Sequence, residues 1–81
     1  MSLTMEKLAI ESRIATLEKD RAILDIKADM QISTVRQEAS PLLELSQIDI
    51  QRLTIAADEL RGYAQQAREI EADISRLQKM L

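Results

Sequence analysis

The fold class is decided by residues 24–33, which read LDIKADMQIS. Apolar and polar side chains alternate strictly along this stretch, as they do in a half-buried β-strand. A strand here would leave both of its backbone edges unpaired, because the sequence offers no second strand candidate. We therefore predict that residues 24–33 are helical and that the alternation spreads apolar side chains around the helix.

The composition supports helix almost throughout. The 81 residues include one Gly and one Pro, and they include no Cys, His, Trp or Phe. A core built from Leu, Ile and Ala suits thin helix-on-helix packing. Without Cys and His, the chain lacks thiolates and the commonest metal ligand and general base. We predict an all-α protein that is not an enzyme and binds no cofactor, metal or small-molecule ligand.

The charge is small and evenly distributed. A net charge of −3 argues against nucleic-acid binding by bulk charge. No run of about 18 apolar residues exists to span a membrane, and the N-terminus lacks the apolar region of a signal peptide. We expect a cytoplasmic protein.

Heptad spacing indicates a coiled coil. In the C-terminal half, apolar residues follow spacings of three and four without a break, and this phase continues through Gly62. Gly62 either weakens the helix by about 1 kcal/mol relative to Ala or permits a close helix approach. The N-terminal half carries a second, weaker repeat. The seam, along which the two helices face each other, is predicted to contain Leu3, Ile10, Ile14, Leu17, Leu24, Leu53, Leu60, Tyr63, Ile70, Ile74, Leu77 and Leu81.

The single proline, Pro41, divides the chain into two arms of nearly equal length, which favours a hairpin. We predict one domain, residues 1–81, that forms a long antiparallel hairpin of about 55 Å, from the helical rise per residue. Its parts are helix 1 over about 3–38, a turn over about 39–45 and helix 2 over about 46–81.

Two starts for helix 2 compete. Ser40 caps the helix if Pro41 is its first residue. Ser46 caps it if Asp49 completes a capping box. The charges select a register of the two helices, because this register brings opposite charges together where a slip of one heptad brings like charges together. The preferred register puts the turn at about 39–45 and therefore favours Ser46. Its facing pairs are Leu24 with Leu60, Arg21 with Tyr63, Arg13 with Asp73, and Lys27 with Glu59.

Helix 1 has a second apolar line opposite the seam, which we call its outer face. A lone two-helix hairpin buries little apolar surface, so another chain is expected to cover this face. We predict a dimer that forms a four-helix bundle. The outer face consists of Met5, Leu8, Ala15, Ala22, Ile23, Ile26 and Met30.

Helix 2 carries a basic stripe opposite its own seam residues, formed by Arg61, Arg68, Arg76 and Lys79. The predicted layout resembles that of hairpin dimers such as the plasmid RNA-binding protein Rop, although no motif is shared. This resemblance implies an alternative function, a small nucleic-acid-binding regulator that uses the basic stripe.

The leading functional prediction is a non-catalytic protein-interaction module, a scaffold, adaptor or small regulatory protein that acts through coiled-coil surfaces. Its partner is either a second copy of itself or another protein. A further alternative is a small inhibitor or chaperone that holds a different protein on the outer face of helix 1.

Overall fold

Two long helices pack against each other as an antiparallel hairpin in the computed structural model, which describes residues 3–81. The first helix, α1, spans Leu3–Glu38, and the second, α2, spans Ile50–Gln78. A short 3₁₀ turn over Leu45–Gln47 lies between them. No strand occurs in the described range, and residues 24–33 are helical. The all-α hairpin prediction is confirmed.

The hairpin is long and thin, with dimensions of 65 × 15 × 15 Å. The 36 residues of α1 account for about 54 Å of this length at 1.5 Å per residue. The observed length exceeds the predicted 55 Å because the connection between the helices and the offset of their ends add to the length of α1. A layer one helix pair thick buries few side chains. Among the described residues, the buried apolar ones are Ile14, Leu17, Leu24 and Ala56.

The end of α1 is set by Ser40 and Pro41. The Ala39 N–H still donates to the Val35 carbonyl at 2.9 Å, as in a helix. The Ser40 hydroxyl then accepts from the Leu42 N–H at 3.2 Å, which closes a turn over the proline. Ser40 therefore ends the first arm, and the prediction that it might cap helix 2 is wrong.

The start of α2 is capped by Asp49. Its carboxylate accepts a hydrogen bond from the Arg52 N–H at 3.0 Å, which satisfies one of the free N–H groups of the first turn. Ser46, the predicted cap, lies instead inside the 3₁₀ turn. Asp49, predicted as the second member of a capping box begun by Ser46, is the cap itself. Helix 2 consequently begins at Ile50, four residues after the predicted position 46.

The far end of α2 also differs from the prediction. The helix ends at Gln78, three residues before the predicted position 81. The Met80 N–H donates to the Leu77 carbonyl at 3.0 Å, and the Leu81 N–H donates to the Gln78 carbonyl at 3.2 Å. These shorter-range bonds tighten the last turn and close the helix.

The contacts between the helices do not match the preferred register. Arg21 was predicted to face Tyr63, but its guanidinium bonds Glu71, about two turns farther along α2. Glu38 likewise reaches Asp49 and Arg52, beyond the position predicted to face it.

Neither cross-helix ion pair predicted from this register is present in residues 3–81. Asp73 pairs with Arg76 of its own helix at 3.0 Å in place of Arg13, and no ion pair joins Lys27 to Glu59. Exposed ion pairs contribute only about 0–1 kcal/mol each, so they were a weak guide to the alignment of the helices.

Gly62 is a site where the helix can be strengthened. A Cβ atom at this position would meet nothing within 4 Å, so Gly62 does not serve a close helix approach. We expect Gly62→Ala to raise the free energy of unfolding by about 1 kcal/mol, because Ala loses less backbone entropy in a helix. Urea unfolding followed by circular dichroism measures the change, and a loss of stability would contradict the open environment of this residue.

Candidate association surface

The predicted seam residues line the contact between α1 and α2. Ile14, Leu17 and Leu24 are buried, and Leu81 is exposed at the end of the chain. The side chain of Leu3 lies outside the described part of the structure. The others are half-buried, namely Ile10, Leu53, Leu60, Tyr63, Ile70, Ile74 and Leu77. Ala56, which the list of seam residues omitted, is the most deeply buried residue described.

Arg21 bridges the two helices at the edge of the seam. Its Nε donates to Glu71 Oε1 at 2.9 Å, and its Nη1 bonds Asp25 one turn along α1. These bonds, to Asp25 first and Glu71 second, raise the pKa of the guanidinium above its ordinary value. Arg21 also lines a shallow groove together with Tyr63. Its bonds join the two helices and one turn of α1, so we assign it a structural role.

The outer face of α1 remains uncovered in the hairpin. The seam occupies one side of the helix, and the seven residues of the outer face lie on the opposite side. Ile26 is 65% exposed and Met30 is 66% exposed, values typical of side chains in contact with solvent on most sides. The remaining members are exposed as well, namely Met5, Leu8, Ala15, Ala22 and Ile23.

This face is also poor in charge. At the heptad positions opposite the seam, between residues 5 and 37, the charged residues are Lys19, Asp29 and Arg36. None of these three takes part in an ion pair within residues 3–81. A solvated outer helix face normally carries alternating charges, because these positions have no other role. The outer face of α1 therefore differs from an ordinary solvated helix face.

The outer side of α2 contrasts with that of α1. Its basic stripe is exposed, and each arginine of the stripe has a partner on the same helix. Arg61 lies 3.9 Å from Asp58, and Arg76 lies 3.0 Å from Asp73. Arg68 donates to Gln65 Oε1 at 3.0 Å, and Lys79 is exposed beyond the end of α2. Neighbouring carboxylates partly neutralise this stripe, as they do on an ordinary solvated face.

The tip of the hairpin holds apolar residues that the sequence analysis missed. Leu42 is 92% exposed and Leu45 is 84% exposed, on either side of the bend after Pro41. Their position in an irregular connection was the available signal, because side chains in a tight turn between two helices have little seam to cover them. They form a separate exposed apolar area at the end of the molecule, because the outward positions between Met30 and the tip are the polar residues Ser33, Arg36 and Gln37.

The geometry gives little support to a metal site, an enclosed ligand pocket or a membrane span. Within residues 3–81, no group of three or more Asp, Glu, His or Cys side chains is placed to hold a metal ion. The grooves between the helices are shallow and open, and one is lined by Gln31, Arg52, Ala56 and Glu59. No helix in the described range combines the length and the apolar character needed to cross a membrane.

Comparisons with protein-family models, with curated proteins and with solved structures gave no match for this chain.

Proposed function

We propose that this protein is a non-catalytic assembly module that binds another protein chain through the outer face of α1. The observation that carries the proposal is the contrast between the two outer sides of one hairpin. The side on α1 is apolar, exposed and nearly free of charge, whereas the side on α2 is charged and internally paired. An exposed apolar side of this kind lowers the solubility of a protein unless another chain covers it.

The thin core supports the same proposal. The core of the described chain consists of four buried apolar residues. A core of this size rarely supplies more than about 3–5 kcal/mol, and small domains usually gain the rest by association, metal binding or disulfides. The chain has no cysteine, and its described residues form no metal cluster. Association through the exposed face is the remaining source of stability.

A substitution at the centre of the outer face tests the proposal. We expect Ile26→Glu to abolish association at micromolar concentration, because a buried unpaired carboxylate is strongly disfavoured. Ile55→Glu is the matched control, because Ile55 is 52% exposed on α2, away from the outer face. Analytical ultracentrifugation reports the mass of each variant, and circular dichroism verifies that both remain helical.

Two results would contradict the proposal. One is association of Ile26→Glu as strong as that of the wild type. The other is equal loss of association in Ile26→Glu and Ile55→Glu, which would reflect net charge and not the surface.

A further inference from the structure

We infer that the occupant of the outer face is a second copy of this chain, running antiparallel, with the two α1 helices back to back about a two-fold axis near Ile23. This inference rests on the proposed function and specifies the partner and its orientation. It is carried by the surface area of the chain, by the charges on the outer face and by the apolar tip.

The exposed area is large enough for such a dimer. The chain exposes 6312 Å², whereas a compact monomer of 9.2 kDa exposes about 4,900 Å². The excess is therefore about 1,400 Å². A standard interface buries about 800 Å² on each partner. Two hairpins in contact along α1 can bury that area and still leave the charged outer side of α2 in water.

The charges select the antiparallel orientation. Lys19 lies near the middle of the outer face and Asp29 lies ten residues farther along, beside Met30; neither has an ion-pair partner within residues 3–81. A two-fold axis near Ile23 and Leu24 brings Lys19 of each copy level with Asp29 of the other. One face thus supplies both members of two identical pairs, as an isologous interface requires.

Three other arrangements of two copies bring like charges together. A parallel dimer places Lys19 beside the second Lys19, and Asp29 beside the second Asp29. Sliding the antiparallel pair by one heptad in one direction brings the two Lys19 side chains within a turn of each other. Sliding it in the other direction places Lys19 level with Arg36 of the second copy. Unfavourable alternatives of this kind are how helical surfaces specify register.

The same arrangement accounts for the apolar tip. With the axis near Ile23, the beginning of α1 in one copy lies level with the bend of the other. Met5 and Leu8, both more than half exposed, then come beside the tip where Leu42 and Leu45 are exposed. These leucines would then form the two ends of the interface.

Charge reversal tests this arrangement. Each of Lys19→Glu and Asp29→Lys replaces two attractive pairs in the dimer by two repulsive ones, and we expect each to raise the dimer dissociation constant about tenfold. The double variant Lys19→Glu/Asp29→Lys restores opposite charges, so its dissociation constant should return to about that of the wild type. Sedimentation equilibrium at low salt measures all of them. Arg61→Glu and Asp58→Lys are the controls, because they make the same changes of net charge on α2.

The outcomes separate this inference from the proposed function. Recovery in the double variant supports the antiparallel pair. If neither reversal changes the dissociation constant, or if the double variant is as weak as the single ones, the arrangement is wrong. Loss of association in Ile26→Glu would in that case still support binding through the outer face. A wild-type chain that does not self-associate would overturn the inference directly.

Discussion

Replacing Leu17 by alanine is expected to lower the free energy of unfolding by about 2–5 kcal/mol. Leu17 is 4% exposed and lies in the middle of the seam, between the buried Ile14 and Leu24. Truncation removes apolar contacts and leaves a cavity that two stiff helices cannot fill by moving. Because the core itself supplies no more than about 3–5 kcal/mol, the variant should be largely unfolded at low concentration.

Urea unfolding at one fixed chain concentration measures this effect, since association adds to the apparent stability. Ile55→Ala is the control, because Ile55 is exposed on α2 and its truncation should change the stability by no more than about 0.5 kcal/mol. Equal effects of the two substitutions would show that the seam does not hold the hairpin together.

Replacing Glu38 by alanine is expected to cost at least about 1.5 kcal/mol. The Glu38 side chain is only 13% exposed and joins the end of α1 to the start of α2. One carboxylate oxygen accepts from the Asp49 N–H at 3.1 Å, and the other lies 3.4 Å from Arg52 Nη1. Alanine leaves both donors without this partner at the point where the chain reverses direction.

Glu38→Gln separates the two contributions, because an amide oxygen can still accept from the Asp49 N–H while the charge that attracts Arg52 is lost. We expect this variant to lose less stability than Glu38→Ala. The neighbouring Gln37 is exposed, so Gln37→Ala serves as the control in the same urea titration. If Glu38→Ala were as stable as Gln37→Ala, the bridge would have no part in closing the hairpin.

The helices and the bend were predictable because they depend on local signals. Pro41 cannot continue a helix and disfavours helix in the residue before it, so α1 had to end nearby. The helical interpretation of residues 24–33 depended on one further consideration, that an isolated strand would have unpaired edges. The structure confirms that interpretation.

The start of α2 was mispredicted because tertiary contacts select the cap. Ser46 and Asp49 both have side chains that cap helices well, and local preference does not separate them. The carboxylate of Glu38 binds the Asp49 N–H only when α1 is already packed alongside. This contact joins residues that are eleven positions apart, so it had no counterpart in the spacing rules used on the sequence.

The register was mispredicted for an electrostatic reason. The prediction assigned Arg13 to Asp73 and Lys27 to Glu59, but long charged side chains find partners on their own helix at little cost. Asp73 bonds Arg76 three residues away. The packing of small residues such as Ala56 is a stronger constraint on how two helices align. Heptad spacing alone does not show which alignment packs best.

The outer face of α1 was predicted from the spacing of apolar residues. Its residues are exposed in the single hairpin. The low charge of the face is visible in the sequence. Lys19 and Asp29, like most charged residues of α1, take part in no ion pair within residues 3–81. Its occupant stays a prediction.

The most direct measurement of the central claim is the absolute mass of the full chain in solution, by light scattering on a sizing column over a concentration series. We predict a species of twice 9.2 kDa that dissociates on dilution, because the outer face of α1 is covered by a second copy. A mass of 9.2 kDa at every concentration would contradict the account, since the apolar face would then remain exposed in the isolated protein.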